Sequence, residues 1–231
     1  MNTILNKTIA EVVSDDISTA SVFKKYNLDF CCGGGISLAS ACKKHDINPS
    51  DLINDLESNH QKSDVPNLNF KDWDITFLVD YIVNVHHKYV SENLDIIDEF
   101  AQKVAKVHGD HSPEVIKIAE LYQKIAAELV PHMQKEERIL FPAIKALVAN
   151  KNSEFPFGSV EGPIHMMEHE HEVVGVYAKE IIALSNHFEA PEWACNTYKA
   201  LYFKLDEFIN DLFQHIHLEN NILFNKVKAL S

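Results

Sequence analysis

From residue 73 onward the chain repeats one pattern, an apolar stripe with helical spacing followed by a short polar break. Val83, Val90, Leu94, Ile97, Ala101 and Val104 fall on one heptad face. Ile125, Leu129, Ile139 and Ala143 mark a second face, Ile164, Met167, Val174, Ala178 and Ile181 a third, and Leu205, Phe208, Leu212 and Ile222 a fourth. The pattern predicts four helices over roughly 73–107, 113–149, 161–187 and 191–229. The breaks carry the expected signals: His108-Gly109-Asp110 ahead of Pro113, Phe155-Pro156-Phe157-Gly158, and Ala190-Pro191. Four long helices with short connections predict an all-α, up-down four-helix bundle.

The first 60 residues read as a separate small helical domain. Thr8 caps a helix through about Val13, and Ser18 caps another through about Tyr26. Ile36 to His45 forms a third. Asn48, with Pro49 at the first helical position, starts a fourth that ends near Asn59. The polar stretch 61–71 (QKSDVPNLNFK) is the linker to a bundle over 72–231.

Composition narrows the function. With 46% apolar residues among 231, a large core can form, and 7 Gly and 8 Pro favour long helices. A net charge of −13 disfavours nucleic acid and anionic lipid as partners. No run approaches the ~18 apolar residues of a membrane span, and MNTILNKTIAEVV lacks the basic-then-apolar order of a signal peptide. The expectation is a soluble cytoplasmic protein whose four cysteines are thiols. The unusual number is 13 His, which invites a search for metal-ligand spacing.

That search finds polar residues set into the apolar stripes. His87 interrupts the first and His171 the third; His132 and Glu136 interrupt the second, His215 and Glu219 the fourth. The segments starting at His132 and His215 both read H-x3-E-x2-I-L-F, and residues four apart share a helix face. The lone His precedes its pair by 45 residues in one half and by 44 in the other, so the bundle reads as two matched hairpins. Four imidazoles and two carboxylates suit iron, manganese or zinc. Two Glu can bridge two metals while two His cap each, leaving room for a bridging oxo or hydroxo group and a small external ligand. A dinuclear nitrogen- and oxygen-ligated site in a bundle favours two iron ions, although spacing leaves manganese open. His86 competes with His87 but lies on a more polar stripe. His165 and His169 compete with His171 from a solvated face, and His217 faces away from Glu219. Glu128 and Glu170 lie beside the ligands, either as a polar path for iron or ligand or as solvated carboxylates.

Phe30-Cys31-Cys32-Gly33-Gly34-Gly35 is the second odd feature. Adjacent cysteines rarely pair with each other, and the glycines allow a tight turn. A helix starting near Ile36 would point its positive end at the thiols and favour thiolate. Cys42 and Cys195 lie in helical patterns and read as inert apolar residues.

Taken together, the Cys-Cys-Gly-Gly-Gly segment and the two H-x3-E motifs resemble the iron–sulfur cluster repair di-iron proteins, the repair-of-iron-centres family, over essentially the whole chain. The resemblance implies an ScdA-type N-terminal domain and a hemerythrin-like bundle. It implies a di-iron centre on His87, His132, Glu136, His171, His215 and Glu219, and a homodimer. It also implies repair of iron–sulfur proteins damaged by oxidative or nitrosative stress, by supplying iron. Two alternatives share the centre: reduction of nitric oxide at the diferrous site, and a hemerythrin-like sensor or carrier of oxygen or nitric oxide.

Overall fold

The computed structural model describes residues 2–62 and 68–230. The fold is all-α, and the chain forms two compact units, one of residues 1–78 with 213–231, the other of residues 79–212.

The N-terminal helices are α1 (Asn2–Leu5), α2 (Ile9–Asp15), α3 (Ala20–Lys25), α4 (Leu38–His45) and α5 (Pro49–Lys62). Thr8 caps α2 with a reciprocal box to Glu11, as the sequence predicts. The next start differs: Asp16, not Ser18, accepts the amide proton, and a 3-10 turn, Ile17–Thr19, leads into α3. The third helix begins at Leu38 because Ser37 accepts from the Ser40 amide. Helix α5 continues past Asn59 to Lys62. Of the expected linker, residues 63–67 lie outside the described residues, and Phe70 is a buried anchor beside Trp73. Ile9, Val13, Phe23, Leu38 and Leu52 build the core of this unit.

Three of the four long helices are α-helices interrupted by one wide π turn. The first runs as α6 (Ile75–Tyr81), the turn Ile82–His87 and α7 (Lys88–His108). The second is α8 (Pro113–Lys135), the turn Glu136–Leu140 and α9 (Phe141–Ala149). The third, α10 (Glu161–Leu184), is unbroken, and the fourth is α11 (Asn196–His217), the turn Leu218–Leu223 and α12 (Phe224–Lys228). A π turn inserts one residue and so rotates everything after it. Hence Leu140 is buried while Ile139, expected on the stripe, is 48% exposed. Ile82 is likewise buried in place of Val83, which is half-buried.

Two boundaries also differ from expectation. The third long helix stops at Leu184 because Asn186, His187 and Phe188 adopt φ of 47°, 58° and 65°, a left-handed run that no helix continues. The fourth starts at Asn196 rather than near 191, since Pro191 to Ala194 closes a separate turn. Within residues 79–212, α8 packs against both α7 and α10. Tyr122 joins α8 to α7 by donating to the Leu94 carbonyl, and its ring meets Phe208 of α11 edge-on. No helix among the described residues is long and apolar enough to cross a membrane.

The three consecutive glycines are not equivalent. A Cβ at Gly34 would lie 2.6 Å from the Phe30 carbonyl oxygen and 2.9 Å from the Ala10 side chain, whereas one at Gly35 meets nothing. Gly34→Ala is therefore expected to destabilise the N-terminal unit by about 1–3 kcal/mol and Gly35→Ala by less than about 0.5 kcal/mol, measured by urea denaturation.

Candidate metal centre

Each π turn carries one of the residues singled out in the sequence: His87 ends the first, Glu136 opens the second, and Glu219 lies in the third. The widened turn aims a side chain where an α-helix would not. All six expected ligands are at most 2% exposed.

Within residues 79–212, four of them converge. Glu136 Oε2 lies 3.3 Å from His87 Nε2 and 3.3 Å from His132 Nε2. His171 Nε2 approaches His132 Nε2 to 3.0 Å. One ligand atom from each of His132, Glu136 and His171 lies within 4.8 Å of the others. In the other unit, His215 Nε2 meets Glu219 Oε1 at 3.0 Å.

Two carboxylates brace the imidazoles from outside. Glu137 Oε1 lies 2.8 Å from His87 Nδ1, and Glu170 Oε2 lies 2.9 Å from His132 Nδ1. A carboxylate accepts, so each Nδ1 carries the proton and each Nε2 turns its lone pair inward, toward Glu136. Ring nitrogens and a carboxylate facing each other in a dry interior repel unless a cation or a proton lies between them. The donor set therefore fits a metal ion and fits an apolar core badly. The His132 hydrogen bond, aided by Lys135, holds the Glu170 carboxyl down to about 2 against the opposing effect of burial. An apolar cleft of about 430 Å³ opens one turn away, floored by Leu140 and Met167.

The competing histidines resolve individually. His165 and His169 are exposed and pair with Glu168 and Glu172. His86 lies on a stripe that reads as polar, yet it is buried, because Asp211 partners its Nδ1 at 2.9 Å. His217 is buried against the N-terminal loop. Glu128 is exposed. Glu137 was not legible as a functional residue; its one signal is that, like Glu170, it neighbours a ligand in sequence.

At the cysteine motif the expected thiolate is overturned for Cys31. Its thiol lies 3.8 Å from Cys32 Sγ and donates to Asp29 Oδ1 at 3.2 Å, while the same oxygen accepts from the amides of Cys31 and Cys32. The hydrogen bond with Cys32, burial and the Asp29 charge push the Cys31 thiol well above the ordinary range, and the α4 terminus is capped by Ser37. Cys42 is buried as expected, but Cys195 is exposed and lies 3.3 Å from His108 Nε2. Between pH 7 and 9, iodoacetamide is expected to modify Cys31 far more slowly than Cys195. The gap should narrow only above the ordinary thiol range, as peptide-resolved mass spectrometry would measure.

Comparison with known proteins places this geometry. Residues 78–227 match the hemerythrin HHE cation-binding domain, and residues 5–60 match ScdA_N, a domain of unknown function. The chain is 37% identical over 222 residues to a probable iron–sulfur cluster repair protein of Haemophilus influenzae, covering 95% of each chain. It is 31% identical to the iron–sulfur cluster repair protein ScdA of Staphylococcus haemolyticus, over 96% of this chain and 99% of that one. It is 40% identical to the iron–sulfur cluster repair protein YtfE of Pectobacterium atrosepticum, over 88% of each. With its buried cluster of His and Glu suited to a metal, the chain belongs to the hemerythrin-like family of iron–sulfur cluster repair proteins.

Proposed function

We propose that this protein repairs iron–sulfur clusters damaged by oxidative or nitrosative stress, by supplying iron held on His87, His132, Glu136, His171, His215 and Glu219. The observation that carries the reading is the pair of carboxylate-braced imidazoles, His87 and His132, aimed at buried Glu136. The repeated H-x3-E supplies a second buried pair, His215 and Glu219. The domain organisation is a helical Cys-Cys-Gly-Gly-Gly domain over 1–60, a linker over 61–71 and a di-iron bundle over 72–231. The names of the relatives supply the client class, damaged iron–sulfur proteins. The protein acts in the cytoplasm as a homodimer, and nitric oxide or oxygen are small ligands of the centre.

Two iron ions bound there supply an exchangeable cargo and one-electron redox chemistry. The chain's own residues do the rest. Glu136 and Glu219 bring negative charge into an interior that would otherwise exclude a cation. Glu137 and Glu170 hold protons at Nδ1 of His87 and His132, which fixes the rings and makes Nε2 the donor atom. Leu140 and Met167, one turn from Glu136 and His171, give the neighbouring cleft an apolar lining.

Anaerobically purified protein is expected to contain two iron per chain by elemental analysis. Glu136→Ala should lose both, while Glu137→Ala and Glu170→Ala retain iron but release it to a chelator with about 10–100-fold weaker affinity. Iron-loaded protein should reactivate an iron–sulfur enzyme inactivated by nitric oxide. Recovery no greater than that given by free ferrous iron at the same concentration would refute the repair reading.

A further inference from the structure

The fourth long helix carries two interleaved pairs. His215 and Glu219 are four apart, and so are His217 and Asn221, displaced by two residues. Two residues rotate a helix by about 200°, so the second pair lies on the face opposite the first at the same height. That opposite face holds the cysteine loop. Asn221 Nδ2 donates to the Cys31 carbonyl at 2.9 Å and reaches the Phe30 carbonyl at 3.4 Å. His217 Nδ1 donates to the Phe30 carbonyl at 3.2 Å, and its Nε2 accepts from Ser14 Oγ at 3.2 Å. The Phe30 ring closes the contact edge-on against Phe213 and His217. From its other side the loop is tied to α2, where the Ala10 amide donates to the Gly34 carbonyl at 2.9 Å.

The other copy of the internal repeat carries different residues on this face. In the first copy, the residues matching His217 and Asn221 are Gln134 and Arg138, and both are exposed. The copies agree in His, Glu and I-L-F and differ at the other five positions, the two that hold the loop among them.

We propose that His217 and Asn221 are positioning residues that latch the Cys31–Cys32 loop to the helix, and that metal at Glu219 keeps the latch closed. The second part rests on Glu219 being an iron ligand, as proposed above. Asn221 and Glu219 share the π turn Leu218–Leu223. Single π turns concentrate at functional sites, and a metal on the Glu219 carboxylate would help to hold this one. Relaxation to regular α-helix on loss of the metal would shift the register by one residue across the turn and carry Asn221 part of that rotation, away from the Cys31 carbonyl. The Cys31 thiol would then be shielded while the centre is full and presented once it has given up its metal. By linkage, engagement of the loop elsewhere loosens the metal.

The four cysteines make the test internal. Full-length protein, iron-loaded or stripped by chelator, is treated anaerobically with limiting iodoacetamide, and each cysteine is quantified by peptide mass spectrometry, with iron measured on the same samples. Cys195 is exposed and reports reagent, whereas Cys42 is buried in the N-terminal core and reports unfolding. In wild type, Cys31 is expected to react at least ~5-fold faster without iron, the lower end of ordinary coupling. In Asn221→Ala it should react fast in both states, with Cys42 still slow and iron retained. His217→Leu should behave alike, and His217→Asn, which keeps a donor near Nδ1, should restore shielding. Should Asn221→Ala unfold, seen as fast Cys42, the His217 pair decides instead. Equal Cys31 rates in iron-loaded and stripped wild type, or continued shielding in folded Asn221→Ala, would overturn the inference. A wild type that takes up no iron removes the ligand reading and with it the iron dependence, while the variants still decide the latch.

Discussion

Two glutamates with no exposed surface are the constraint around which this protein is organised. Glu136 and Glu219 sit inside helices whose neighbouring core positions are Leu, Ile, Phe and Val. A carboxylate in such surroundings is strongly disfavoured unless a cation or a dense set of donors meets it. The imidazoles at 3.3 Å from Glu136 are braced by Glu137 and Glu170 on the far side of each ring. The arrangement is coherent when a metal completes it. Within residues 79–212 the bracing carboxylates and the dry surroundings then follow as parts of one requirement: holding ring nitrogens toward Glu136 against their mutual repulsion.

The π turns meet that requirement locally. In these three helices the backbone has to keep an apolar stripe in phase and turn a polar side chain fully inward. One inserted residue lets the backbone do both, at the cost of shifting the stripe from Ile139 to Leu140. Leu140 and Phe141 in one copy, and Ile222, Leu223 and Phe224 in the other, give the shifted segment the bulk to refill the core. The third helix contributes only His171, keeps its stripe in register and stays unbroken.

The cysteine motif answers a different demand. Burial, Cys32 and the Asp29 carboxylate keep Cys31 as a thiol, and backbone carbonyls rather than sulfur atoms make its contacts with the last long helix. Within this loop the Cys31 thiol is thus buried and protonated, and the loop is held through its backbone.

The helical periodicity, the breaks and the stripe interruptions at His87, His132, Glu136, His171, His215 and Glu219 were legible in the sequence, because helix faces and i, i+4 spacing are local consequences of 3.6 residues per turn. So was the Thr8 cap, a contact three residues long. The tertiary structure alone decided the rest. Bracing of His87 by Glu137 spans 50 residues, bracing of His132 by Glu170 spans 38, and contact of Cys31 with Asn221 spans 190. No local rule sets such pairs. The polarity of the Cys31 thiol also went against the local reading, since a helix N-terminus is a weak, short-range influence beside burial and a carboxylate in direct contact. The sequence determined which faces carry chemistry; packing determined which protons those faces keep, because a proton's position depends on partners that only folding brings within hydrogen-bond reach.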